Sequence, residues 1–357
     1  MSQSAALLES QESAAVLQAT THAVAEEARR GLTSSPKCLA PWLFYDEAGS
    51  RLFEQITALP EYYLTRAERE IFATHADEIL HLAASSTGNR QHAASNFTLS
   101  IAELGAGTAS KTGILLRALM QRQGSALYQP IDISPTALDE ARAQLESAIP
   151  KLTVRPYVAN YVTDGYRIDR APGSRVLALY IGSSVGNFSP DEARAILTGL
   201  RAQLQPGDAV LLGTDLAPCP ADAAHPAKSV SALLAAYNDK QGVTAAFNRN
   251  ILSRLNRDLG ADFRAEQFAH RALWNHTYSR IEMHLKSLVP QRVTIPANSA
   301  GPDVHINFFG GEVIHTENSY KFTPTTIAAL LDDSGFTAAR TFTDAGSLFA
   351  VTLATAV

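Results

Sequence analysis

Residues 100–115 read SIAELGAGTASKTGIL, and several groups in that stretch can meet a ligand. Glu103 ends an apolar run, Gly105 and Gly107 allow a tight turn with close backbone approach, and Lys111-Thr112 open a helical pattern. Glycines before a helix start are what phosphate sites use, because backbone N–H groups point at the anion there. Both phosphate patterns fail at one residue. Ser110 stands where a Walker loop needs its second glycine and where the dinucleotide fingerprint needs its third glycine or an alanine. Glu103 would also sit beside the phosphates, an unfavourable neighbour. S-adenosylmethionine has no phosphate; it presents an ammonium, a carboxylate and a cationic sulfonium, which suits glycines next to an acid. Asp132, in PIDIS at the end of the next strand, can accept both ribose hydroxyls, and Asn160 in ANY stands where an amide meets the adenine edge.

These groups need a frame, and the pattern of the chain supplies one. FTLSIAEL is strand-like and meets the glycine turn; KTGILLRALMQRQ has apolar residues at helical spacing. ALYQPIDIS reads as a strand ending in Asp132, PTALDEARAQLESAI as a helix opened by Pro135, and TVRPYVANY as the next strand. VLALYIGSS is a nearly continuous apolar run closed by Gly182, as a buried parallel strand is. SPDEARAILTGLRAQL follows as a helix with Ser189 at its N-cap, then DAVLLGTDL as a further strand. Such alternation predicts an α/β fold with a doubly wound, mostly parallel sheet whose ligands lie at the carboxyl ends of the strands. From about Ala217 to Phe309 the rhythm breaks into a long helical stretch, SVSALLAAYNDKQGVTAAFNRNILSRLNRDLG, and strand-like pieces such as RIEMHLKSLV. Helix, glycine stop, strand, turn and strand then return in TPTTIAALLDDSGFTAARTFTDAGSLFAVTLATA, a hairpin suited to the edge of the sheet. The expected organisation is discontinuous, with a core over 68–215 and 322–357 and a second lobe over 1–67 and 216–321.

Composition narrows the class. The chain has 357 residues, 46% hydrophobic and 18% charged, with a net charge of −5, which argues against a nucleic-acid surface. Cys38 and Cys219 form no CxxC pair, and the ten histidines show no metal spacing such as HxxxH. No apolar run approaches the roughly 20 residues of a membrane span. The N-terminal stretch lacks the basic and apolar regions of a secretion signal, so a cytoplasmic protein with no membrane partner is expected.

Several blocks, taken together in order, resemble a known family. They are WLFYDEAGSRLFEQITALPEYYLTRAEREIF, ELGAGTASKT, PIDIS, GSSVGNF, GVTAAFNRNIL, RIEM and HTENSYKF, and they span most of the chain. Each is weak alone; the set is similar to the ergothioneine-pathway histidine Nα-methyltransferases. That resemblance implies a Rossmann-like class I methyltransferase core with a dedicated amino-acid-binding domain. It also implies conversion of L-histidine to its trimethylammonium betaine, hercynine, with three molecules of S-adenosylmethionine and no metal. Matched block by block, Tyr45, Gly105, Lys111, Asp132 and Asn160 fall at cofactor positions, alongside Glu103 and Gly107, with Lys111 suited to the methionyl carboxylate. Phe53, Tyr62, Gly182, Asn187, Tyr237, Met283, Glu317 and Ser319 fall at histidine-pocket positions.

In that assignment Asn187 and Tyr237 take the substrate carboxylate and Glu317 with Tyr62 the imidazole N–H. Tyr45 lies beside the amino group, which makes Tyr45, Tyr62 and Asn187 the residues nearest the reaction. No strong general base is evident, and a monomer is expected. Three departures from the family pattern stand out: Asn160 in place of Asp, Leu64 in place of Pro in PEYYLTR, and extra residues through 217–228. Plainer roles exist for the same residues: Phe53 and Tyr62 as core aromatics, Met283 as strand packing, Glu317 as an exposed strand carboxylate, Asn187 as a turn former. Three other functions also fit parts of the pattern. They are Nα-methylation of another aromatic amino acid such as tryptophan, S-adenosylmethionine binding without turnover, and nicotinamide-dependent oxidoreduction.

Overall fold

The computed structural model describes residues 20–85, 97–219 and 228–357. The chain divides into two compact units. One takes the residues up to Leu59 with Leu234–Trp274 and Ile281–Asn318; the other takes Pro60–Leu233, Asn275–Arg280 and Ser319–Val357. Leu216–Leu233 therefore stays with the sheet, as does the stretch from Pro60, where the sequence pattern placed boundaries at 67/68 and 215/216. The 217–228 insertion lies largely outside the described residues, since 220–227 are not among them.

In the first unit, α1 covers residues 20–33 and α2 Glu47–Ala58. Asp46 caps α2 by accepting from Gly49 N–H at 2.7 Å. Gly49 has no alternative: a Cβ there would run into the Phe44 carbonyl oxygen.

The second unit opens with α3 (Leu64–Ala84) and is built on an eight-stranded sheet. Its parallel strands are β1 (Leu99–Leu104), β2 (Ala126–Asp132), β3 (Leu152–Val154), β4 (Tyr157–Val158), β5 (Arg175–Tyr180) and β6 (Ala209–Asp215). Between them run α4 (Thr112–Gln123), α5 (Pro135–Ala148) and α6 (Pro190–Gln203). β1 and β6 are buried at every residue, which follows from apolar runs covered on both faces. Ser134 caps α5 ahead of Pro135, and Ser189 with Glu192 forms a full capping box on α6.

TVRPYVANY does not form one strand. It gives β3 and β4 on either side of Pro156, which has no N–H for the ladder.

The long helical stretch likewise splits, into α7 (Val230–Ala236) and α8 (Val243–Leu259). Gly242 turns at φ +76°, and Asp239 accepts from the Val243 and Thr244 N–H groups at the start of α8. With α8 in the first unit are the strands β7 (Phe268–Asn275), β8 (Arg280–Ser287) and β11 (Val313–Tyr320), ordered β11-β8-β7, of which β7, β8 and β11 end or begin in the second unit. An antiparallel pair, β9 (Gln291–Ile295) and β10 (Val304–Phe308), completes that unit's strands among the described residues.

The chain then returns to the large sheet through α9 (Pro324–Asp333), β12 (Phe336–Thr343) and β13 (Phe349–Ala356). The observed order is β12-β13-β6-β5-β1-β2-β3, with β13 antiparallel between β12 and β6. The closing hairpin thus extends the sheet's edge as the pattern predicted. The core beneath it packs β-strand residues such as Val176, Tyr180 and Leu212 against Leu197 and Leu200 of α6 and Leu331 of α9.

Candidate active site

The glycine turn is built from conformations that ordinary residues avoid. Gly105 and Gly107 have φ of +68° and +51°, and Ala109 follows at +52°. A Cβ on Gly107 would meet nothing within 4 Å, so the backbone there borders open space of the kind a ligand fills. Asp132, at the end of β2, accepts from Gly107 N–H at 2.9 Å and from Ser134 N–H at 3.0 Å. Burial pushes its carboxyl above the usual range, and those backbone donors pull the other way. Its carboxylate therefore shapes the turn and retains lone pairs for a ribose.

Glu103, expected at the ligand, is 2% exposed and accepts from Thr112 Oγ1 at 2.7 Å and Tyr128 Oη at 2.5 Å. Those bonds fasten the start of α4 to the sheet. Asn160 makes a local turn, its Oδ1 accepting from Val162 N–H at 3.1 Å while its own N–H donates to Asp164.

Lys111 reaches a residue that sequence reasoning missed. Its ammonium pairs with the carboxylate of Glu68, which is fully buried on α3. The same carboxylate accepts from Gly182 N–H at 2.8 and 3.1 Å. Gly182 sits at φ +77° at the end of the β5 run, and a Cβ there would lie 3.1 Å from Lys111 Nζ. Gly213 of β6 is also fixed by Glu68, because a Cβ would collide with the carboxylate. The turn continues through Ser183, at φ +61°, to Asn187, which ends a short 3₁₀ segment. A signal for Glu68 was present: it is an acid on the buried face of α3, in line with Leu64, Ile71 and Phe72.

A second missed cluster surrounds Asp215, the last residue of β6. This carboxylate is 0% exposed and accepts from Tyr63 Oη at 2.8 Å, Lys228 Nζ at 2.5 Å and Lys321 Nζ at 2.7 Å. Burial alone would raise its pKa; the two lysines outweigh that and hold it below the ordinary carboxylate range. Lys321 also donates to Ser319 Oγ at 2.8 Å, so one predicted pocket residue is tied to this network. Tyr62, 7% exposed, stands beside Tyr63 just ahead of α3.

The other predicted residues belong to the first unit, and the structure joins them in two groups. Tyr45 meets Phe53 edge-on at 5.8 Å, and both rings lie 5.9 Å from Phe247 of α8. The backbone carbonyl of Tyr237 lies 2.9 Å from His270 Nε2, whose other nitrogen is 2.8 Å from Asn248 Nδ2. Asn248 Oδ1 accepts from Thr316 Oγ1 at 2.8 Å, and Thr316 Oγ1 lies 3.0 Å from the Met283 carbonyl. Met283 is 2% exposed and Glu317 8%. Along β11 burial alternates except at Thr316 and Glu317, which are buried in succession.

A mostly parallel sheet with an antiparallel strand inserted near its end, and a glycine turn after β1 that fits neither phosphate pattern, with an acid at the end of β2, define a class I S-adenosylmethionine-dependent methyltransferase. Residues 24–356 match the family described as histidine-specific methyltransferase, SAM-dependent, and the chain belongs to that family. It is 37% identical to the histidine N-alpha-methyltransferase of Mycolicibacterium smegmatis, over 93% of this chain and 94% of that one. With the histidine N-alpha-methyltransferase of Mycobacterium tuberculosis the identity is also 37%, over 91% and 92% of the two chains. It is 26% identical, over 90% and 91%, to the 4-dimethylallyltryptophan N-methyltransferase of Claviceps purpurea.

Proposed function

We propose that the protein trimethylates the α-amino group of L-histidine to hercynine, the first step of ergothioneine biosynthesis. The observation that carries the reading is the open cradle at Gly107, held by the Asp132 carboxylate, in a chain of this family. S-adenosylmethionine, when bound, supplies a methyl group made electrophilic by the sulfonium. Lys111 holds the methionyl carboxylate, Asp132 the ribose hydroxyls and Asn160 the adenine amino group, while Glu103 secures the turn from beneath. Asn187 and Tyr237 hold the substrate carboxylate, Glu317, Ser319 and Tyr62 the imidazole, and Phe53, Met283 and Gly182 shape the space around them. Tyr45 orients the amino group.

Before each round a proton leaves the nitrogen for water, and the freed lone pair then forms a C–N bond as the S–C bond breaks. Three rounds release three protons from the starting ammonium and leave a quaternary nitrogen. The residues contribute positioning and exclusion of water. A monomer in the cytoplasm suffices, with neither nucleic acid nor membrane as partner; among the described residues no helix is long and apolar enough to cross a membrane.

Incubating the protein with histidine and excess donor should give a mass gain of three methyls on the α-nitrogen. Arrest at one methyl, or methylation of the ring, contradicts the reading. Glu317→Ala should reduce histidine turnover sharply, because the imidazole N–H loses its charged acceptor, a bond worth about 1–3 kcal/mol. Adding Met283→Val should open the site toward tryptophan. Wild-type preference for tryptophan in direct competition would transfer the proposal to another aromatic acceptor.

A further inference from the structure

We infer that Glu68 is a positioning residue for the cofactor: it holds Lys111 in place for the methionyl carboxylate and ties that cation to the Gly182 turn. The inference rests on the proposed role of Lys111 and adds a residue outside the assigned cofactor positions.

The geometry leaves Glu68 few other purposes. A fully buried carboxylate is costly unless paired and hydrogen-bonded, and Glu68 has both: the Lys111 ammonium and the Gly182 N–H. Its surroundings are shaped to admit it, since Gly213 leaves the space that a side chain would take. Lys111, by contrast, keeps 21% of its side chain exposed. Lysine is a flexible point charge with three donors, and Glu68 occupies one of them from the buried side. The other two donors are left for an anion, and the chain at Lys111 opens α4, a helix end that favours one. Lys111 precedes α4, a position where an unpaired cation opposes the helix dipole, so the carboxylate also offsets that cost. Because the same oxygens accept from Gly182, the cation and the turn leading to Asn187 share one anchor.

A pair of nucleosides separates positioning from mere stability. S-adenosylhomocysteine carries the methionyl carboxylate; 5′-methylthioadenosine has the same adenosine and thioether but no amino-acid end. By calorimetry, Glu68→Gln should weaken S-adenosylhomocysteine by about tenfold while 5′-methylthioadenosine changes less than about twofold. In a Lys111→Met background, adding Glu68→Gln should leave the ratio of the two affinities unchanged, since the pair then acts through nothing. Equal weakening of both nucleosides would mean a purely structural role and would overturn the inference. So would tighter binding of S-adenosylhomocysteine, the result expected if Glu68 only repelled the ligand's carboxylate. Should Glu68→Gln not fold, Glu68→Asp keeps the charge, withdraws it by one methylene, and is read by the same ratio. A wild-type protein that binds neither nucleoside refutes the functional reading itself; normal wild-type binding with an unchanged ratio in the variant refutes only the role of Glu68.

Discussion

Glu103 and Asp215 are both carboxyl groups buried at the carboxyl ends of parallel strands in one sheet, β1 and β6, yet their protonation differs. Glu103 receives hydroxyl donors from Thr112 and Tyr128, and burial drives its pKa up to about 7. Lys111 lowers it too, but not enough to offset the burial. Asp215 receives Tyr63 and, in addition, the ammonium groups of Lys228 and Lys321, and is held below the usual range. Position at a strand end therefore says little about charge. What decides it is whether the fold delivers a cation from another segment.

Removing the paired acid should have the largest effect. Asp215→Asn leaves two buried lysines without the carboxylate between them, and should lower the unfolding free energy by about 3–5 kcal/mol in urea titrations. Lys228→Met should cost a similar amount, and combining the two should cost less than the sum because they share a network.

The lone acid is tested by its pH dependence. Glu103 has an ordinary value of 4.5 and a folded value of about 7, so between those values the folded chain keeps a proton that the unfolded chain has released. Its contribution to stability is present below the unfolded value and is lost as pH rises through 7, an effect on the order of 3 kcal/mol. Glu103→Gln should lack this loss, so the variant gains on the wild type between pH 4.5 and 7.5. Parallel stability curves would show that Glu103 is ionised throughout.

Tyr128→Phe sharpens the contrast by taking away one donor. It should cost about 1 kcal/mol and move the Glu103 transition upward, since that hydrogen bond lowers its pKa. The smallest effect is expected where an acid is added. Asn160→Asp should tighten S-adenosylhomocysteine by about threefold, because a charged acceptor makes the stronger bond to an amino group. The gain is limited by Asp164, whose carboxylate already lies beside the Asn160 N–H.

The same contrast explains what was legible in the sequence. β1, α4 and β2, and the glycine turn joining them, are set by local patterns, so Gly105, Gly107 and Asp132 were found from residue types and spacing. Ser189 and Pro135 announced their helices for the same reason. Pro156 breaks a strand that the apolar pattern carries through, and Gly242 a helix; both are local signals. Glu68 and the lysines on Asp215 were hidden because their meaning depends on which segments meet in space. Glu103 was visible, but its hydroxyl partners Thr112 and Tyr128 were not. In the other unit the residues taken from the family resemblance fall into two groups whose links, through Phe247 and through His270 and Asn248, no motif announced.

The place of β13 in the sheet bears on how the protein is made. It follows every other described strand in the sequence, yet it pairs with both β6 and β12. During synthesis β6 emerges long before the strand that covers it, and its outer edge stays open to other chains meanwhile. β12 cannot cover it, because β13 must lie between them. A nascent chain halted ahead of Phe349 is therefore expected to be sticky and protease-sensitive, and to become resistant only when β13 slots in.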